Sequence, residues 1–159
     1  MSMGRMGQIL SHTFKVVNGN STGSTHDLED VLVNNAYYPV SGSYVDVSGA
    51  ERVHVLIELG TLADAVTFEL YEAEATDGTE DQISATYYKH TCAANDDGEY
   101  VVITIEVDRL SKDHHFLTTK VGAVSGSDYA TITYLLEMAG ELPPTSTALP
   151  TASEHYYTG

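Results

Sequence analysis

Alternation of apolar and polar side chains over residues 100–107 most strongly limits what this chain can fold into. Every second position of the segment is apolar, namely Val101, Ile103, Ile105 and Val107. Because successive side chains of an extended strand point to opposite faces, these four lie on one face. The segment therefore predicts a strand whose apolar face packs against a second layer of structure.

Short segments with a similar pattern recur along the chain. They lie about 8 to 15 residues apart with turn-forming residues between them, as in sandwiches and barrels. The sequence thus predicts an all-β fold, either an antiparallel, jelly-roll-like β-sandwich or a barrel, with extended N- and C-terminal arms. Besides residues 100–107, the expected strands are residues 37–40, 44–47, 52–59, 66–71, 83–91, 116–121 and 130–138.

The two ends of the chain are patterned differently from its middle. Residues 1–35 are predicted to be an N-terminal arm, residues 36–140 the sandwich domain and residues 141–159 a Pro-rich tail. Two interpretations of the ends stay open: disorder, or arms that become ordered by wrapping neighbouring subunits. In the second interpretation the arms contact partners through Phe14, Val16, Val17, Leu142, Pro143, Pro144, Tyr156 and Tyr157.

Charge excludes one class of ligand. The chain has 7 Lys and Arg residues against 23 Asp and Glu residues, a formal net charge of -16. Such a surface repels nucleic-acid phosphates, so we expect no DNA or RNA partner. The acidic excess suits a basic partner surface, or it reflects a salty environment.

Membrane insertion and disulfide bonding are not expected either. No segment approaches the ~18 consecutive apolar residues of a membrane-spanning helix, and no apolar signal-peptide region follows Met1. Cys92 has no cysteine partner within the chain. We expect it to fill a small buried apolar position.

Acidic loops supply the candidate cation ligands. Calcium requires several oxygen ligands from a loop, and Asp77, Asp81, Asp96 and Asp97 lie in two acidic loops, residues 72–81 and 95–99. Because neither loop has the spacing of an EF-hand, we interpret them mainly as solvated loops. We predict no cofactor.

No segment has the context of a catalytic motif. His90, His114 and His115 lack the spacing of a zinc site, and residues 113–115 are interpreted as a polar turn. No Gly-x-Ser-x-Gly sequence or other nucleophile context occurs, so the chain is not expected to be an enzyme. The 11 tyrosines suit half-buried strand positions or a sugar-binding face.

Three segments, residues 47–60, 63–78 and 100–110, together resemble small structural proteins encoded in the head and morphogenesis regions of tailed bacteriophages. The shared order is a hydrophobic strand ending in Gly, a Thr- and Glu-rich strand with an acidic turn, an Ile/Val-Glu-Val-Asp-x-Leu step and a final apolar strand. Here that step is Ile105-Glu106-Val107-Asp108-Arg109-Leu110. The resemblance covers about residues 44–139.

This resemblance implies a capsid decoration (cement) protein or a minor capsid protein. Such proteins in general lie on the outer surface of the head, often as trimers, and reinforce contacts between major capsid subunits. The implied partners are the major capsid protein and further copies of the chain. The implied location is the head exterior of the virion, after synthesis in the host cytoplasm. Two alternatives remain: a neck or tail subunit, such as a tail terminator or tube protein, and a carbohydrate-binding β-sandwich.

Overall fold

A computed structural model describes residues 13–18, 30–77, 79–83, 88–125 and 128–138 of the chain. In chain order, its strands are β1 (Thr13–Asn18), β2 (Asp30–Val31), β3 (Tyr37–Tyr38), β4 (Val45–Asp46), β5 (Ala50–Leu59), β6 (Val66–Ala73), β7 (Glu80–Gln82), β8 (Lys89–Cys92), β9 (Tyr100–Glu106), β10 (Phe116–Gly122) and β11 (Tyr129–Met138).

These strands form two sheets that pack face to face, which confirms the predicted all-β sandwich. Sheet A has the order β1-β11-β5-β9, with β2 also paired to β11. Sheet B has the order β3-β10-β6-β7, with β4 also paired to β10 and β8 to β6. All of these pairs are antiparallel.

The apolar face predicted for residues 100–107 lies in the core. Val101, Ile103 and Ile105 are buried. The β5–β9 pairing places them beside the buried residues of β5 on the same face of sheet A. Val107 differs from the prediction, because β9 ends at Glu106 and residues Val107–Arg109 form a short 3-10 helix. Val107 is half-buried there and packs against the edge of the core.

The turn before β9 is a β-bulge built on Gly98. The Gly98 N–H donates to the Leu59 carbonyl oxygen, and the Leu59 N–H donates to the Glu99 carbonyl oxygen, both at 2.9 Å. Gly98 has a φ of 75°, the left-handed conformation that glycine adopts without steric cost. The turn predicted from the sequence around residues 95–98 is therefore confirmed.

Residues 13–18, within the predicted N-terminal arm, form strand β1. Residues 13–18 pair with β11 over their whole length, with Phe14 opposite Glu137, Val16 opposite Leu135 and Val17 opposite Tyr134. Residues 30–31 pair with the same strand. Pairing of this kind depends on backbone groups and on an available edge, which a weak side-chain pattern does not indicate.

Two further boundaries also differ from the prediction. Strand β6 continues to Ala73, and residues 80–82 form β7, so the acidic stretch 72–81 is only partly a loop. Of the strand predicted at residues 83–91, residues 83 and 88 lie outside strands, and β8 begins at Lys89 and ends at Cys92. The predicted tail contacts Leu142, Pro143, Pro144, Tyr156 and Tyr157 lie outside the described residues.

No helix in the described ranges is long and apolar enough to cross a membrane.

Candidate functional site

The outer face of sheet B carries a cluster of aromatic and charged side chains. Pairing of β10 with β3 and β6 places Lys120 opposite both Tyr37 and Glu69, with Tyr71 two residues further along β6. The rings of Tyr37 and Tyr71 meet edge to face, with centroids 5.4 Å apart and planes at 87°. The Lys120 Nζ lies 5.5 Å and 5.6 Å from the two centroids, within the range of a cation–π interaction.

Glu69 is the hydrogen-bonding centre of this face. Its carboxylate forms an ion pair with the Lys89 ammonium group and accepts a 3.2 Å hydrogen bond from the Gln82 amide. The Tyr71 hydroxyl lies 3.5 Å from the same carboxylate. These contacts join β6, β7 and β8 on the solvent side of the sheet, and they hold the carboxylate in place.

A second tyrosine–carboxylate pair lies at the end of the cluster. The Tyr44 hydroxyl donates a 2.8 Å hydrogen bond to Glu80 Oε2. Burial and this carboxylate raise the pKa of Tyr44 to about 12. Burial also raises the pKa of Glu80, but the Tyr37 and Tyr44 hydroxyls stabilise the ionised form more strongly, so its pKa lies below the usual value.

An open hollow, here called the sheet B hollow, lies beside the cluster. Its volume is about 250 Å³. It contains two ammonium groups, one carboxylate, one amide and one hydroxyl among its lining side chains. The lining residues are Asn35, Thr67, Glu69, Lys89, Lys120, Gly122 and Ala123.

A different surface occurs on sheet A, at the outer edge of β9. Tyr100 and Val102 point to solvent from the same face of this strand and are 62% and 59% exposed. Among the described strands, only β5 pairs with β9. We call Tyr100, Val102, Thr104 and Glu106 the β9 edge. Glu106 at its end is bonded to Arg52, with Nη2 and Oε1 2.9 Å apart.

The predicted cation ligands are not brought together. Asp77 accepts hydrogen bonds from the N–H and hydroxyl of Thr79, at 3.2 Å and 2.6 Å, and these bonds lower its pKa. Asp81 is exposed on β7. In the part of the chain that the structure describes, no three His, Cys, Asp or Glu side chains are grouped as metal ligands.

The other two predicted ligands have roles in turns. Asp96 accepts a 2.7 Å hydrogen bond from the Ala93 N–H, and Asp97 accepts one of the same length from the Leu62 N–H. The carboxylate oxygens are therefore used to satisfy backbone donors. These hydrogen bonds account for acidic residues at the two turn positions.

Glu72 is a buried charged residue that the sequence interpretation missed. Its carboxylate accepts hydrogen bonds from the Ser111 N–H at 2.8 Å and the Ser111 hydroxyl at 2.5 Å. His114 lies between Glu72 and Glu74, with nitrogen–oxygen distances of 3.4 Å and 3.6 Å. This arrangement ties the segment after β9 to the end of β6. The Ser111 hydroxyl donates its hydrogen bond to Glu72 and not to an imidazole of the kind that activates a serine nucleophile.

Comparisons with known proteins add little to this geometry. No family model matches the chain, and no curated protein matches it. A solved structure of a Bacillus endospore appendage, a disulfide-linked pilus, is similar with a TM-score of 0.47 and 9% sequence identity. The match covers 80% of this chain and 88% of that chain. A likeness this distant carries no argument about function.

Proposed function

We propose that this chain is a structural virion subunit without catalytic activity, a decoration protein that binds the outer surface of a tailed-phage head. The observation that carries the proposal is the β9 edge. It presents two large apolar side chains beside a strand edge that no described strand covers. The proposal also takes up the strand-and-turn resemblance over residues 44–139.

The backbone of the β9 edge is oriented to accept another strand. Hydrogen-bonded positions alternate along an antiparallel pair. Because Leu59 bonds to residues 98 and 99, the N–H and C=O groups of Val101, Ile103 and Ile105 face β5. Those of the intervening residues face outward, where an extended segment of a partner adds to the sheet.

The β9 edge also lacks the features that usually protect an exposed strand. Natural edges are commonly protected by lysine, proline, a bulge or a very short strand. Strand β9 has seven residues, contains no lysine or proline, and has its bulge before Tyr100. A partner that covers the edge explains this composition.

Charge favours the major capsid protein over a second copy as the occupant. Glu58 and Glu99 lie beside β9, Glu106 at its end is paired with Arg52, and the whole chain has a net charge of -16. Two such edges repel each other, whereas an extended capsid segment flanked by lysine or arginine is attracted. Repetition over a capsid lattice then strengthens an individually modest contact.

The test is binding of the purified protein to undecorated capsid shells of the encoding virus. We expect Val102→Lys to reduce shell occupancy strongly, because it replaces an exposed apolar side chain of β9 with a charged one beside the added strand. Val33→Lys is the matched control, since Val33 is also 59% exposed but lies outside β9. Equal occupancy by wild type and Val102→Lys would overturn the β9 edge as the contact.

Copy number and location in purified particles test the wider proposal. Many copies spread over the head exterior would support a decoration protein. A few copies at the neck or tail would instead assign the chain to the ring or tube subunits. Absence from particles would overturn a virion role. Self-association of the purified protein that Val102→Lys abolishes would identify a second copy as the occupant and overturn the capsid assignment of the edge.

A further inference from the structure

The sheet B hollow concentrates positive charge in an acidic protein. Lys89 and Lys120 are two of the chain's seven basic residues, and both line a hollow of about 250 Å³. Glu69 is the acidic residue among the lining side chains. The lining side chains therefore carry a net positive formal charge in a chain of -16, and Glu80 lies within electrostatic reach of Lys120.

The two lysines have different partners. Lys89 is paired with Glu69, whose carboxylate is held by Gln82. Lys120 lies over the Tyr37 and Tyr71 rings, and within the described residues its electrostatic partner is Glu80, which is not in salt-bridge contact with it. Since ring faces attract a cation without occupying its N–H donors in salt bridges, the Lys120 ammonium group is positioned and still able to donate to a ligand.

We propose that the sheet B hollow binds a small hydroxylated carboxylic acid of the sugar-acid class, such as a uronic acid unit of a glycan. Lys89 is already paired with Glu69, so one ligand carboxylate pairs with Lys120, whereas a doubly charged phosphate adds a second negative charge beside Glu69 and Glu80. This site lies on the sheet opposite the β9 edge. It goes beyond the proposed structural function and is independent of it.

The remaining lining groups suit hydroxyl recognition. The Thr67 hydroxyl lies 3.1 Å from the Thr91 hydroxyl and keeps further acceptor capacity, and Glu69 accepts from sugar hydroxyls. Asn35 adds an amide. The volume is below the ~300 to 1,000 Å³ typical of pockets for drug-sized ligands, which favours a ligand of about one sugar unit.

Two backbone positions shape the rim of the hollow. Asn35 and Ala123 both have a φ of 62°. Alanine rarely adopts this conformation, and residues held in it cluster at binding and active sites. The Asn35 N–H donates a 2.8 Å hydrogen bond to the Val121 carbonyl oxygen, which fixes this side of the rim against β10.

The test is a titration of the full chain with glucuronate, glucose and inorganic phosphate, followed by NMR amide shifts. We expect saturable binding of glucuronate with shifts centred on residues 67, 89, 120 and 122. Glucose and phosphate should bind at least about tenfold more weakly, because glucose lacks the carboxylate and phosphate lacks the sugar hydroxyls. Lys120→Gln should weaken glucuronate binding by at least about tenfold.

Lys112→Gln is the matched control, because Lys112 is an exposed lysine of the segment that follows β9 and does not line the hollow. Thr67→Val is a second variant that keeps both lysines and should weaken glucuronate binding, so the inference remains testable if Lys120→Gln fails to fold. Glucose binding as tight as glucuronate, phosphate binding as tight, or no binding of glucuronate would each overturn the proposal. These outcomes leave the shell-binding test of Val102→Lys unaffected.

Discussion

The Tyr134 hydroxyl donates a hydrogen bond to the Tyr38 carbonyl oxygen, at 2.5 Å, across the interior of the sandwich. The bond joins β11 of sheet A to β3 of sheet B. The Thr119 hydroxyl lies 2.7 Å from the same phenol oxygen, and it must donate, because the single phenol proton is directed to the carbonyl. Tyr134 is fully buried, and burial raises its pKa above the ordinary value.

Removal of this hydroxyl should destabilise the sandwich. Tyr134→Phe keeps the ring but leaves the buried Thr119 hydroxyl and the Tyr38 carbonyl without this partner, so we expect a loss of about 1–3 kcal/mol in the free energy of unfolding. Urea denaturation measures it. Tyr100→Phe, at a 62% exposed position, is the control and should change stability by no more than about 0.5 kcal/mol. Equal losses in the two variants would contradict a special role for the buried bond.

Glu72 should stabilise the segment that links β9 to β10. Glu72→Gln weakens two hydrogen bonds to Ser111 that a charged acceptor strengthens, and we expect a loss of about 1–3 kcal/mol. Hydrogen exchange should accelerate over residues 107–115. The control is Glu51→Gln, because Glu51 is an exposed residue at the start of β5. Unchanged exchange in that segment would show that Glu72 does not anchor it.

Stability should fall at both extremes of pH through Tyr44 and Glu80. The folded-state pKa of Glu80 is lowered, so its contribution is present above the unfolded-state pKa and is lost on acidification. The pKa of Tyr44 is raised to about 12, so its contribution is present below about pH 10 and is lost as pH rises through the folded value.

Tyr44→Phe should reduce the loss of stability at both extremes of pH. The substitution removes the titrating Tyr44 hydroxyl and, with it, a donor that lowers the pKa of Glu80. Denaturation midpoints measured across pH test this expectation. Tyr100→Phe again serves as the control and should retain the wild-type profile. Parallel pH profiles for wild type and Tyr44→Phe would show that this pair does not set the dependence.

Cys92 should be unreactive in the folded protein. It is fully buried, and burial together with Asp96 and Glu99 raises the pKa of its thiol to about 11. Labelling with a thiol reagent at neutral pH should therefore be more than about tenfold slower than in denaturant, because thiolate and access are both required. Equal labelling rates in native and denaturing buffer would rule out this buried environment.

The central strands could be predicted from sequence because each of them alternates cleanly. In β5, Val53, Val55 and Ile57 are completely buried, as their spacing indicated. Cys92 was also assigned correctly to a small buried position. A period of two specifies which face is apolar without information about neighbours, so these predictions did not depend on strand order.

Other features depended on neighbours that a single strand does not reveal. Residues 13–18 became a strand because β11 offered an edge, and their own pattern was weak. Glu72 was interpreted as part of a solvated loop, but extension of β6 to Ala73 buries it beside Ser111. The surface cluster of Tyr37, Tyr71 and Lys120 joins residues far apart in the chain.

Local sequence pattern was sufficient to predict the all-β class, the apolar face of each central strand and the turn at Gly98, because these follow from periodicity and from backbone conformation. Which strands became neighbours, and the position of β9 at one end of sheet A among the described strands, depended on tertiary structure. Tertiary structure also decided that Lys89 and Lys120 line one hollow. Strand order arises from packing between segments distant in sequence, and it determines every surface that the chain presents to a partner.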